Sequence, residues 1–351
     1  MRNTWWLNGL LGVTFLFTDL PCSPAPEAPP AAPQEIQVVT YPIPDSSRTT
    51  HTYQVVMDSA VYHEGWDTLV QMRFWRQVMH TGPDTVIVNQ ARNRRILGYV
   101  SYARWGTRSR RQRQSFEDSV RQAHGLARAD KLFFTGGRRH FYRTREVVPQ
   151  IDKAIHIFNA ENVDPWYAQA ILLIESPAQL TFSTDGAYGA FQLLKGVARD
   201  MGLTVNDTLD ERADFDRSAY GAARLIRTVC LPYTREICDE WGLTYRESDI
   251  WFRLLTLHVY HAGAGNVRRA IRQLRPRTGG PGLIRDLWQT EFRRFGNASQ
   301  NYSQLVLAAT LELYQLITLP DLPATFAPGE VTPTLPDIPG TTPASKREAG
   351  F

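Results

Sequence analysis

The sequence predicts a mainly α-helical protein, and three observations carry that reading. Apolar residues recur at helical spacing in most of the chain. One segment, Ala168 to Ile174, is apolar nearly all round, with Gln169 its only polar member, as expected of a helix buried among other helices. Start and stop signals bracket the segments: Asp164-Pro165 before that run, Pro177 after it, Ser248-Asp249 before another. With 351 residues, 43% of them hydrophobic and 11% aromatic, the chain can bury a sizeable core in one large or two small domains.

Taken in order, residues 1–21 carry Arg2 and then an apolar run from Trp5 to Phe17 broken by Asn8 and Thr14. The run is too short for a comfortable membrane span and reads as a signal peptide. Cys22 follows at once, where a lipoprotein signal would end, although Asp19-Leu20-Pro21 departs from the small residues usual there; lipidation stays open. Residues 22–50 are Pro- and Ala-rich from Ser23 to Ser47 and read as an extended tether. Residues 51–145 read as a helical N-terminal segment, from Trp66 to Met79, Asn89 to Trp105 and Ser115 to Ala127. No chemistry is legible in it: His63, Glu64, Asp67 and His80 are isolated polar residues of the kind found at surfaces and helix ends.

Residues 146–319 hold the densest helical patterning. Glu146 to Asn159 sets Val148, Ile151, Ile155 and Phe158 on one stripe, and the Asp164 helix follows. A second apolar helix is expected from Phe191, Leu193, Leu194 and Val197. Asp216 to Cys230 aligns Ala219, Ala222, Ala223, Ile226 and Val229, small residues that permit close helix approach. The helix begun by Ser248-Asp249 delivers Tyr260 to a glycine-rich turn, and Asn301 to Ile317 forms a terminal helix. Residues 320–351 are Pro- and Thr-rich and are expected to be disordered.

The net charge of +4 is modest, with basic clusters at Arg104 to Arg113 and Arg138 to Arg145. No nucleic-acid motif accompanies them, so they read as solvated faces or as contacts to an anionic polymer, and no nucleic acid is expected as a partner. Of the three cysteines, Cys230 and Cys238 bracket Leu231 to Ile237, read as a short polar loop, and are expected to form a disulfide in an oxidising periplasm, two reduced thiols being the alternative. No spacing resembles a zinc site.

The chemistry centres on Glu175. It stands in the last turn of the apolar helix, so its carboxyl group is left at the end of a greasy rod. Burial without a cationic partner destabilises the charged form and raises the pKa, which makes a general acid. Glu175-Ser176 is followed by Ser183-x-x-Gly186-Ala187-x-Gly189-x-x-Gln192, and later by Tyr260-His261-Ala262-Gly263-Ala264-Gly265-Asn266-Val267. In order and spacing these blocks resemble the lytic transglycosylases of the soluble and membrane-bound D types, the goose-lysozyme-like family that cleaves peptidoglycan. Their blocks read E-S, S-x-x-G-A-x-G-x-x-Q and A-Y-N-A-G-x-G-x-V. The resemblance runs from Val147 to Ile317, and Asn301-Tyr302 resembles the R-N-Y-V segment that closes the family's domain.

That resemblance implies a lysozyme-like helical catalytic domain acting on peptidoglycan glycan strands, exported to the periplasm, without metal or cofactor, and anchored to a membrane if Cys22 is acylated. It implies Glu175 as the acid and base, Ser183 and Gln192 orienting substrate, Tyr260 hydrogen-bonding at the catalytic carboxyl group, and His261, Gly263 and Gly265 along the substrate path. His261 departs from the family's Asn, and the interval from Glu175 to Ser183 is one residue shorter than in the soluble type. A goose-type lysozyme would instead hydrolyse with water and need a second carboxylate, with Asp185 and Asp214 as candidates. A wall-binding protein without activity would keep the groove and lose the acid.

Overall fold

The computed structural model describes residues 36–44, 49–82, 84–136, 144–175, 182–183, 185–292 and 295–318. The expected signal peptide, Cys22, Ser176 and the Pro-rich tail beyond residue 319 lie outside the described residues. The protein is mainly α-helical, with a small amount of sheet near its N-terminal end.

That end corrects two expectations. β1 (Ile36–Pro44) lies within the expected tether and pairs antiparallel with β2 (Thr50–Asp58), Ile36 opposite Asp58 and Pro44 opposite Thr50. Val38, Val39, Tyr41 and Ile43 suit a pleated strand, and the prolines sit where the end of an edge strand tolerates them. α1 (Ala60–His63), a 3-10 turn at Trp66–Thr68 and α2 (Val70–Met79) follow, close to expectation. Asn89 to Trp105, however, is not a helix. It spans the end of β3 (Thr85–Gln90), a turn, β4 (Ile96–Ser101) and most of α3 (Tyr102–Gly106). After α4 (Arg110–Ala123), β5 (Leu132–Gly136) completes an antiparallel sheet of order β4-β3-β5. The β-branched run Val86-Ile87-Val88 is buried at the middle of this sheet, and the apolar spacing that suggests a helix runs on across its turn into β4.

The remaining helices are α5 (Thr144–Ala160), α6 (Trp166–Ile174), α7 (Lys195–Asp200), α8 (Phe215–Leu225), α9 (Leu231–Glu240), α10 (Ile250–Ala262), α11 (Ala264–Leu274), α12 (Pro281–Leu287) and α13 (Asn297–Thr318). Phe191 to Leu194 belong to a turn bridged by Tyr188 and Leu193, so the expected second apolar helix begins only at Lys195. Every residue of α6 is buried. Its one polar side chain, Gln169, accepts from Val56 N and donates to Val56 O, both at 2.8 Å, and so meets both backbone groups of a buried residue of β2. Asp164 divides its carboxylate: Oδ1 accepts from Trp166 N at 3.0 Å, and Oδ2 takes Arg253 of α10 at 2.6 Å. Arg253, itself buried, also reaches Asp58 at 3.0 Å. Asp58 N donates to the Tyr314 hydroxyl of α13 at 2.8 Å. Hairpin, core helix and terminal helix are thereby cross-linked by polar bonds inside the core.

The disulfide expected between Cys230 and Cys238 is not made. Residues 231–237 form the body of α9 rather than a loop, and a π-helical turn, Ile226–Cys230, runs straight into it. Eight residues along such a rod rise about 12 Å, well beyond disulfide reach. Both cysteines are free and buried, and burial raises both thiol pKa values, that of Cys238 to about 12.

Candidate active site

α6 ends at Glu175. The residue borders a cleft of about 520 Å³, in the range typical of ligand sites, and keeps only intermediate exposure there. The cleft's walls come from three places: the C-terminal end of α6 with Ile174, the start of α13 with Asn301 and Tyr302, and the N-terminal module with Trp75 of α2 and Phe133 to Gly136 of β5. Burial pushes the Glu175 pKa to about 7, and the Tyr302 hydroxyl acts against that rise. That hydroxyl is buried and, among the described residues, closes no hydrogen bond of standard geometry. It faces the Glu175 carboxyl group closely enough to lower its pKa.

Tyr260 occupies the last turn of α10. Its hydroxyl donates to Phe191 O at 2.6 Å, not to the carboxyl group that the resemblance assigns it. Glu175 still raises the Tyr260 pKa, after burial the second cause, so the two groups sense each other's charge. His261 lines the cleft and stacks on Tyr302 with ring centroids 4.3 Å apart. The residue keeps an exposed surface, yet burial lowers its pKa to about 4, and Asp185 opposes this. The imidazole is neutral at pH 7. Gly263, at φ +79°, turns the chain from α10 into α11 in a conformation that favours glycine, and Gly265 lies exposed in the first turn of α11.

Ser183 and Gln192 are used inside the loop between them and are not among the described residues lining the cleft. Ser183 Oγ accepts from Ala187 N at 2.9 Å; Gln192, at φ 47°, donates from Nε2 to Gly189 O at 3.0 Å. A residue without a sequence signal holds this loop. Buried Arg212 donates from Nη1 to Gly186 O and Leu193 O, each at 3.0 Å, while Asp210 takes its other edge at 2.6 Å. Gly189 crosses so close to this clamp that a Cβ would lie 1.9 Å from Arg212 O. Of the candidate second carboxylates, Asp214 is occupied as the N-cap of α8, accepting from Arg217 N at 2.8 Å. Asp185 is exposed.

The structure therefore brings Glu175 and His261 to one cleft with Tyr260 close by, and keeps Ser183 and Gln192 as loop-forming residues. Tyr302 and Arg94, which also line the cleft, carry no assigned role in the sequence reading. Asn301-Tyr302 was visible as a motif without a task; Arg94 had no signal, being one arginine in a basic stretch. No protein-family profile matches the chain, and no curated protein matches it at a significant level.

Proposed function

We propose that the protein is an exported peptidoglycan lytic transglycosylase with a lysozyme-like catalytic domain, cleaving the glycosidic bond between N-acetylmuramic acid and N-acetylglucosamine in cell-wall remodelling. The observation that carries this reading is a single carboxyl group, Glu175, at the end of a fully buried helix, bordering a cleft, with its pKa raised by burial to about 7. At neutral pH such a group is partly protonated, so it can both give and take a proton. The order and spacing of the three sequence blocks supply the substrate class.

Glu175 protonates the departing N-acetylglucosamine oxygen, and its carboxylate then removes the proton from the C6 hydroxyl of the N-acetylmuramic acid left behind. That hydroxyl closes on the anomeric carbon to give a 1,6-anhydro end. The substrate's N-acetyl group stabilises the intermediate, so one protein carboxylate is enough. Proximity favours the tethered hydroxyl over water, with effective molarities on the order of 10⁵ M or more for well-oriented groups. Tyr302 and the neutral His261 supply uncharged polar surface beside the acid; a neutral imidazole, like the family's amide, has one donor and one acceptor.

The test is mass spectrometry of fragments released from purified sacculi in solvent enriched in ¹⁸O. The expected fragments end in 1,6-anhydro-N-acetylmuramic acid, one water lighter than lysozyme products and unlabelled. Reducing ends labelled from solvent would make the chain a hydrolase. The search for its second carboxylate would then start at Asp185, whose charge reaches His261, because Asp214 is engaged as a helix cap.

A further inference from the structure

On the other wall of the cleft from α6 stands a cation with no anionic partner among the described residues. Arg94 sits in the turn between β3 and β4 at φ 60°, a left-handed conformation that costs an L-residue without a short polar side chain. Its backbone is held there although glycine or asparagine would be easier. The residue is only 5% exposed. Among the described residues its polar partners are the side-chain oxygens of Asn297 and Asn301, both bonded from Nη2, and both neutral. The remaining surroundings are aromatic: the guanidinium carbon lies 5.5, 5.4 and 5.1 Å from the ring centres of Phe74, Trp75 and Phe133.

Burial lowers its pKa to about 10, which leaves it charged at neutral pH. A buried cation without a carboxylate is expensive, and a protein that wanted only packing would do better with an apolar side chain. Elsewhere in this chain buried arginines are paired: Arg253 with Asp58 and Asp164, Arg212 with Asp210. Arg94 differs in bordering the same cleft as Glu175. The acid does not neutralise it, since burial and Tyr302 set the Glu175 pKa. The missing anion is then supplied by whatever enters the cleft. A guanidinium fork fits a carboxylate in two parallel bonds, and Phe133 and Trp75 offer apolar surface beside it.

We propose that Arg94 binds a carboxylate borne by the muramyl side of the glycan, so that the N-terminal β4-β3-β5 module forms the wall by which the cleft tells peptidoglycan from an uncharged N-acetylglucosamine polymer. The proposal rests on the peptidoglycan reading of the site. Two sources carry the chemistry: the lactyl carboxylate of a peptide-free strand, and the carboxylates of a peptide stem.

The test uses calorimetric titration of the full chain carrying Glu175→Gln, which removes turnover, against three oligomers of equal length. One is a chito-oligosaccharide, without carboxylate; one a peptide-free muroglycan; one a muroglycan with stems. The expected result is about ten- to hundred-fold tighter binding of at least one carboxylated oligomer, the range of a charge-assisted bond. Adding Arg94→Gln should abolish that preference and leave chito-oligosaccharide affinity unchanged. The peptide-free and stem-bearing arms identify which carboxylate is read. Arg94→Lys, which keeps charge without the fork, should retain part of the preference; it serves if Arg94→Gln fails to fold by thermal melting. A preference that survives loss of the guanidinium, or oligomers that bind equally to the Glu175→Gln chain, would overturn the proposal while leaving the peptidoglycan reading standing. Failure of all three oligomers to bind would remove both.

Discussion

His261 stacks on the buried ring of Tyr302, with centroids 4.3 Å apart and planes 21° apart, and the hydroxyl of that tyrosine faces Glu175. Tyr302 is the polar group that holds the Glu175 pKa down against burial. Tyr302→Phe should therefore move that pKa above 7. Because the acid must be protonated to act, activity falls as pH rises through its pKa, and this alkaline limb should shift upward in the variant. A pH profile of kcat/KM measures it; an unmoved limb would separate Tyr302 from the acid.

Replacing Glu175 should stabilise the protein as it stops the reaction. The folded-state pKa is about 7 against an ordinary 4.5, so between these values the native state holds a proton that the unfolded chain has released. Stability from this group is complete below pH 4.5 and lost as pH rises through 7, a loss of about 3 kcal/mol at most. Glu175→Gln avoids the loss. Its melting temperature should exceed wild type at pH 8 and converge with it near pH 4.5, while cleavage falls by about 10²-fold or more.

The loop from Gly186 to Leu193 depends on a contact that leaves no room. Gly189→Ala would set a Cβ 1.9 Å from Arg212 O at a φ of +86°, so backbone must move. A loss of more than about 4 kcal/mol is expected in denaturant unfolding. Arg212→Lys should be milder in packing yet still cost about 3 kcal/mol, because a lysine cannot serve two carbonyls and a carboxylate together.

Cys230 and Cys238 should resist alkylation in the native protein and react at once in denaturant, and reducing agent should leave the melting temperature unchanged. Non-reducing peptide mapping that finds them joined would contradict the continuous helical rod on which they lie.

What could be read from the chain alone was whatever a local pattern determines. α6 and the acid at its end were legible because total burial and a proline stop are written in adjacent residues. β1, β3 and β4 were not: proline content disguised the first, and the short turn after β3 let a strand pair pass for one helical period. Tyr302, Arg94 and Arg212 were hidden for another reason. Each acts across more than fifteen residues of sequence, on Glu175, on Asn301 and on Gly186, and a lone arginine or tyrosine carries no mark of its distant partner. The cysteine spacing misled because eight residues suit a loop and a helix equally well until the helix is seen.

The bond from Asp58 N to the Tyr314 hydroxyl joins positions 256 residues apart. A ribosome makes Asp58 long before it makes the helix that completes its surroundings, and Arg253 arrives only late as well. During synthesis the hairpin of β1 and β2 must wait, with a buried-to-be carboxylate and an unfilled amide exposed, until nearly all the described chain exists. Such long closure is slow and leaves strand edges open to other chains. Refolding from denaturant should thus be rate-limited by late docking of α13, and premature termination before residue 314 should yield an aggregating species rather than a smaller folded protein.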